Sequence, residues 1–195
     1  MQDEERIEGF VAVVLAGGTS QRMGRNKLLM EVAGRPMIRH VVETVRGVVE
    51  DVVVVTGHQP DRIVEALARL PVRILRLEAE SGERSTIAQA LASVEPARGT
   101  LICVGDQPRL TGREITGLIE VYLAGGRNRA LVPMRQGRRG FPIIAPPNFD
   151  AVEVDLWAQD VALEHPGRID VFETRNPVYE SSVDTPEDYR ALFAI

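Results

Sequence analysis

The chain is poor in the residue types that usually announce a staple, a metal cluster or a nucleophile. One cysteine in 195 residues leaves no disulfide to form within the chain, which agrees with a reducing compartment. That cysteine, Cys103, lies inside the apolar run Leu101-Ile102-Cys103-Val104 and reads as core packing. The three histidines, His40, His58 and His165, are scattered without metal-ligand spacing, and no Ser, Cys or His nucleophile constellation accompanies them. Basic residues are in the minority: 23 Lys and Arg against 28 Asp and Glu give a net charge of −5. This excludes a general attraction to nucleic acid or to an anionic membrane surface. No apolar run approaches a membrane span, and the start, Met1-Gln2-Asp3-Glu4-Glu5-Arg6, is acidic and not followed by a signal-type apolar core. These absences predict a cytoplasmic protein with no nucleic-acid and no membrane partner.

What is present is the composition of a folded domain, 44% hydrophobic and 26% charged. The expectation is one domain over residues 1–195, with residues 1–8 as a flexible acidic N-terminus, and no internal repeat or linker. Short apolar runs alternate with helix-period segments, which predicts an α/β fold of βαβ units, three layers around a mostly parallel central sheet. Strands are expected at Phe10–Leu15, Asp51–Thr56, about Val72–Leu77, Thr100–Gly105 and Ala130–Met134. Helices are expected from Pro36, near Asp61–Leu70, near Ser85–Ser93 and after the capping box Thr111-Gly112-Arg113-Glu114. Gln136-Gly137-Arg138-Arg139-Gly140 reads as a hairpin turn leading into Phe141–Ala145. Val152, Leu156, Val161 and Leu163 with Trp157 suggest a helix between Pro146 and Pro166, followed by a strand near Asp170–Thr174. Thr185 then caps a terminal helix that Pro186 begins.

The most informative stretch is Val11 to Lys27. An apolar run of strand length stops at Gly17-Gly18 and gives way to a polar loop carrying Arg22 and Lys27. Glycine allows a positive φ and lets a ligand approach with no Cβ in the way, so this reads as an anion-binding loop with two fixed cations. It is not a P-loop, because Gly24 is followed by Arg25-Asn26-Lys27, and the spacing of a dinucleotide fingerprint is missing too. In an open parallel sheet, ligands sit beyond the carboxyl ends of the strands where strand order reverses. Strands one and four are the expected neighbours there, which would bring Asp106 of Gly105-Asp106-Gln107-Pro108 to the glycine loop. A carboxylate so placed is suited to hold Mg²⁺ against a triphosphate. Asp184 is the second candidate, since Thr185 frees it from capping; a turn-forming Asp106 and a helix-dipole Asp184 are the plainer alternatives. With a triphosphate held this way its α-phosphorus is open to in-line attack, and an attacking phosphate monoester needs no protein nucleophile.

The ordered pattern L-A-(A/G)-G-x-S-x-R-M-G-x-x-K in Leu15–Lys27 resembles the MobA-like nucleotidyltransferases, and within them the molybdenum cofactor cytidylyltransferases. The likeness runs from about Phe10 to Ala145 and resumes at Ser182–Leu192. It implies a Rossmann-like nucleotidyltransferase fold and an Mg²⁺-dependent transfer of CMP from CTP to the phosphate of molybdopterin, with pyrophosphate released. It implies nucleotide contacts at Leu15, Ala16, Gly17, Gly18, Arg22, Lys27, Gly82 and Ser85, with Arg22, Lys27 and Asp106 catalytic and Asp106 and Asp184 on the metal. Arg138 and Arg139 are the expected acceptor contacts, or else a solvated hairpin. The partners so implied are CTP or GTP, the molybdopterin cofactor and a receiving molybdoenzyme. Base choice stays divided: Gly82-Glu83-Arg84-Ser85-Thr86-Ile87 looks like the cytidylyl form G-x-x-S-S-I, whereas the double glycine is commoner in guanylyl members. Two departures touch the acceptor: Phe141-Pro142 stands where relatives usually have His-Pro, and Asp150–His165 lacks the segment G-D-x-G-A-R. Guanylyl transfer, another phosphorylated acceptor, or a cofactor-binding chaperone without chemistry are the alternatives.

Overall fold

The computed structural model describes residues 6–18, 23–77, 82–152 and 154–193. In chain order the elements are β1 (Phe10–Leu15), the small ribbon β2 (Glu31–Val32) and β3 (Arg35–Pro36), α1 (Met37–Val48), β4 (Asp51–Thr56), α2 (Pro60–Ala66), β5 (Arg73–Arg76) and α3 (Glu83–Ala92). There follow β6 (Gly99–Val104), α4 (Gly112–Ala124), β7 (Ala130–Arg135), β8 (Arg138–Arg139), β9 (Ile143–Ala145), the single turn α5 (Val161–Glu164), β10 (Ile169–Glu173) and α6 (Pro186–Ala191).

Among the described residues the main sheet has the order β10-β7-β9-β6-β1-β4-β5, with β8 beside β7. The pairs β1–β4, β1–β6, β4–β5 and β7–β10 are parallel, while β9 runs antiparallel to both β6 and β7. The mostly parallel α/β sheet expected from the alternating runs is therefore the fold observed. From β1 the chain steps outward to β4 and β5, then returns to lay β6 on the other flank of β1. Strand order thus reverses between β1 and β6, where ligand crevices open in such sheets.

Helices cover both faces, which explains why β6 is buried at all six positions. On one face Ile38, Val41, Val42, Val45 and Val48 of α1 pack with Ile115, Leu118, Ile119 and Tyr122 of α4 against Ala12 and Val14. Each such aliphatic residue contributes roughly 1.5–3 kcal/mol by leaving water. On the other face Ala90 and Val94 meet Val11, Val13, Val53 and Val55. Thr111 and Glu114 form the expected capping box, and Thr185 caps α6 with Asp188 as its partner.

The helix expected between Pro146 and Pro166 does not form: among the described residues there, α5 alone is helical. Leu156 and Val161 are buried, but Val152 and Leu163 are 69% and 85% exposed, so the four apolar positions do not share a face. The Asp150 and Asp155 carboxylates accept from the N–H groups of Val152 and Trp157, each at 2.9 Å, local turns that compete with a helical ladder. The helix expected at Asp61–Leu70 ends at Ala66. Residues 1–5 of the expected N-terminal segment lie outside the described residues, and the Ile7 N–H donates to the Val48 carbonyl at 2.7 Å. No helix among the described residues is long and apolar enough to cross a membrane.

Candidate active site

The site begins with two neighbouring strand ends. Leu15 and Val104 are in register, and the Gly105 N–H donates to the Leu15 carbonyl at 3.0 Å, so the two loops that follow leave the sheet side by side. Gly105 permits this approach, because a Cβ there would stand 2.6 Å from Ile38 Cδ1 and 3.2 Å from the Leu15 oxygen. Gly17, Gly18 and Asp106 consequently line one cavity of about 600 Å³.

The glycine pair does not work through left-handed backbone, since neither Gly17 nor Gly18 has a positive φ. What it provides is space: a Cβ on Gly18 would meet nothing within 4 Å, and one on Gly17 only the Gly57 nitrogen at 3.7 Å. A ligand can therefore come within contact distance of the main chain at both positions.

Lys27 is aimed into the cavity by a 3-10 turn, Lys27–Leu29, in which the Leu28 N–H donates to the Asn26 side-chain oxygen at 3.1 Å. Its Nζ lies 2.5 Å from Asp106 Oδ2 and 2.7 Å from Asp184 Oδ1. Asp184 reaches this point because the segment Tyr179–Asp184 is strapped to the β6 loop. The Val183 N–H donates to the Asp106 carbonyl at 2.9 Å, and Gln107 Nε2 to the Tyr179 carbonyl at 2.9 Å. Asp188 accepts from the backbone N–H groups of Asp184 and Thr185, which leaves the Asp184 carboxylate to face Lys27.

Burial raises the Asp106 carboxyl above the usual carboxylate range; the Lys27 ammonium opposes this, and the Asp184 charge adds to it. Burial alone would lower the Lys27 ammonium, but Asp106 and Asp184 outweigh it and raise it. Two carboxylates are thus held face to face by one cation. Asp106 Oδ1 is buried with no hydrogen-bond partner in another residue. Two convergent carboxylates, one with an unused oxygen, suit a hard divalent cation that completes its shell with phosphate and water oxygens. No group of three or more His, Cys, Asp or Glu side chains suited to a metal occurs among the described residues.

The remaining sequence candidates divide. Arg22 lies outside the described residues. Leu15 and Gly82 line the cavity, Gly82 with φ +64, where a side chain would be strained. Ala16 is buried behind it, its N–H donating to the Val55 carbonyl at 2.7 Å. Ser85 does not cap α3; Gly82 holds the capping position, and the exposed Ser85 hydroxyl accepts from Gln89 Nε2 at 2.9 Å. Thr86, rather than Ser85, lines the cavity, because one helical step turns its side chain inward.

Arg138 and Arg139 stand on the opposite wall. The expected hairpin forms with Gln136 and Gly137 both at positive φ, the geometry of a two-residue turn between twisted strands. Arg138 Nε lies 3.5 Å from Glu180 Oε1, and Glu180 also pairs with Arg135 at 2.7 Å. The Arg139 guanidinium lies over the Phe141 ring at 4.5 Å and the Trp157 ring at 5.3 Å.

Gln107, Trp157, Gln159 and Glu180 also line the cavity and were not singled out from the sequence. Gln107 had a signal in its place beside Asp106, and Trp157 in being the one tryptophan of the chain. Glu180 had none, since nothing local separates it from the other acidic residues.

The chain has relatives among known proteins. "Bifunctional protein GlmU" of Cupriavidus pinatubonensis is 36% identical over 120 residues, which cover 60% of this chain and 26% of that protein. The match spans about a quarter of the length of that relative. The crystal structure of Rv0371c from Mycobacterium tuberculosis H37Rv superposes with a TM-score of 0.77 at 22% identity, over 95% of this chain and 97% of that one. A nucleotidyl transferase from Methanothermobacter thermautotroptrophicus gives 0.77 at 21% identity, over 94% and 95%. At these identities the two structures share the fold. Residues 12–165 match the model of the MobA-like NTP transferase domain, a span that runs from β1 through the glycine pair, Lys27 and Asp106 to the far wall of the cavity. The chain is a member of the MobA-like NTP transferase domain family.

Proposed function

We propose that the chain is a divalent-cation-dependent nucleotidyltransferase that joins a nucleoside monophosphate to a phosphorylated acceptor and releases pyrophosphate. The observation that carries this reading is the convergence of Lys27, Asp106 and Asp184 in the cavity lined by Gly17 and Gly18 at the strand-order reversal. Gly17-Gly18 give the triphosphate room against the main chain, and Lys27 supplies a fixed cation for its oxygens, joined by Arg22 as the resemblance implies. Asp106 and Asp184 hold Mg²⁺, which when bound supplies charge neutralisation for the phosphate oxygens. An oxygen of the acceptor phosphate forms a bond to the α-phosphorus while the bond from that phosphorus to the bridging oxygen of the β-phosphate breaks. The electron pair leaves with pyrophosphate. Such an acceptor is already anionic at neutral pH, so the residues do their work by positioning and by balancing charge.

The nucleotide is CTP in this reading, supported by the likeness of Gly82–Ile87 to the cytidylyl loop, and the acceptor is molybdopterin. A second reading, another phosphorylated acceptor, is favoured by one observation. The stretch Asp150–His165, which reaches the cavity wall, lacks the segment G-D-x-G-A-R. Pyrophosphate release with Mg²⁺, CTP or GTP, and either molybdopterin or glucose 1-phosphate tests both. Turnover with CTP and molybdopterin is expected; turnover with the sugar phosphate alone selects the second reading, and no turnover in any combination overturns both.

A further inference from the structure

At the end of the sheet opposite Asp106, the topology gathers three arginines that stand far apart in the sequence. Arg98 directly precedes Gly99 at the start of β6, Arg168 directly precedes Ile169 at the start of β10, and Arg127 lies shortly before Ala130 at the start of β7. Ile169 pairs with Ala130, Leu131 with Ile144 and Thr100 with Ala145, so these strand starts share one edge. There the three arginines line a cavity of about 480 Å³ together with Asn128, Asn148 and Phe149. The six residues of β6, about 20 Å of strand, separate this cavity from Asp106.

Its walls are held by the fold. Buried Tyr122 places its hydroxyl between two of the loops, 3.3 Å from the Arg98 carbonyl and 3.2 Å from the Arg127 carbonyl. Burial raises the pKa of that hydroxyl and the Arg127 charge opposes the rise, as a nearby cation does. The Arg98 backbone N–H donates to the Gly9 carbonyl at 2.8 Å, and the Arg98 stem lies on Gly9, where a Cβ would stand 2.7 Å from its Cγ and Cδ. Beyond that stem the Arg98 guanidinium is 5.8 Å from the Phe10 ring, and the Arg168 guanidinium is 5.6 Å from the Phe149 ring. Arg127 sits at φ +63, a left-handed conformation that glycine adopts with less strain, so the local backbone does not call for arginine there. Among the described residues the lining holds three arginines and no Asp or Glu, in a protein whose net charge is −5. Glu95 and Asp150 belong to a neighbouring cavity that shares the 146–149 wall.

We propose that this cavity is a second anion site, which binds the di- or triphosphate group of a small molecule. Guanidinium groups present planar forks of N–H donors that match phosphate oxygens, and three of them balance the roughly three negative charges of a diphosphate. A single phosphate would leave part of that positive charge unbalanced. A concave lining of one sign concentrates such an anion against the overall charge of the protein. The site is separate from the glycine-loop cavity and does not depend on the nucleotidyltransferase reading.

Arg127→Gly is the informative variant, because glycine takes a φ of +63 more easily than arginine and the melting temperature should hold. Wild type, Arg127→Gly, Arg127→Lys and Gly18→Ala, each as the full chain, are titrated calorimetrically in magnesium-free buffer at low salt with pyrophosphate, ADP, inorganic phosphate and hexaglutamate. Wild type should bind pyrophosphate and ADP at least tenfold more tightly than inorganic phosphate. Arg127→Gly should weaken both at least fivefold, Arg127→Lys should keep most of the affinity, and Gly18→Ala, in the other cavity, should change it less than twofold. ADP binding more tightly than pyrophosphate marks a nucleotide as the ligand, and equal affinity marks the free diphosphate; each upholds the site. The proposal is overturned if neither pyrophosphate nor ADP binds, if inorganic phosphate binds as tightly, or if Arg127→Gly leaves the affinity unchanged. A loss seen only in Gly18→Ala, or binding of hexaglutamate in place of the phosphates, overturns it as well.

Discussion

Lys27 and Asp184 are 157 positions apart in the chain, and their side chains meet at 2.7 Å. Asp106 closes the same cluster from its other side at 2.5 Å. Lys27 is thus the counterion that allows two carboxylates to share one partly buried place. Substituting Lys27→Met should leave them facing each other, at a cost of about 3 kcal/mol. Mg²⁺ should recover more thermal stability in the variant than in the wild type, because the metal replaces the missing charge, while pyrophosphate release is lost. Thermal melts with and without Mg²⁺ check this; an unchanged melting temperature in metal-free buffer would contradict it.

Gly18 and Gly140 make a contrasting pair. Gly18→Ala adds a methyl group where nothing lies within 4 Å, so the fold should keep its melting temperature while the KM for the nucleotide rises several-fold. Gly140→Ala drives a methyl group to 2.6 Å from the Tyr179 oxygen, a backbone atom, and should cost about 1–3 kcal/mol. Melting temperature and nucleotide KM, measured on both variants, should separate the two effects.

Acid should inactivate the protein earlier than an ordinary aspartate would. Burial raises the Asp106 carboxyl, so the proton is held to higher pH, and the charge needed for the metal is lost as pH falls through that raised value. The acid limb of kcat/KM for Mg·CTP, which reports the free protein, should have its midpoint above the ordinary aspartate value of about 4. A midpoint at or below 4 would remove Asp106 from the account.

Cys103 should be inert. It is fully buried in β6, and burial pushes its thiol up to about 12, so the thiolate that alkylating reagents need is scarce at neutral pH. Labelling with iodoacetamide at pH 7.5 should be negligible in the native protein and complete after unfolding.

The parts of the fold written in local pattern were legible from the sequence. β1, β4 and β6 announce themselves as unbroken apolar runs because both faces of each are covered by helices. The Thr111–Glu114 and Thr185–Asp188 caps are local hydrogen-bond geometry and need no knowledge of the rest of the chain. The segment 146–166 misled because its apolar residues sit at helical spacing while Asp150 and Asp155 turn the backbone away from a helix, and only tertiary burial decides between them. Within the site, the neighbourhood of Gly17-Gly18 and Asp106 followed from the rule for strand-order reversal. The brace of Arg139, Phe141 and Trp157 did not, because no spacing in the sequence links a hairpin to a turn sixteen residues beyond Phe141.

The most direct test is calorimetric titration of CTP in Mg²⁺ into the wild-type protein and into Asp106→Asn, a change that keeps the side chain's shape and removes its charge. The account predicts Mg²⁺-dependent binding to the wild type and an affinity at least tenfold lower in the variant, with the two circular dichroism spectra superimposable. Equal affinity in the two proteins, or no binding of CTP or GTP to the wild type, would contradict it.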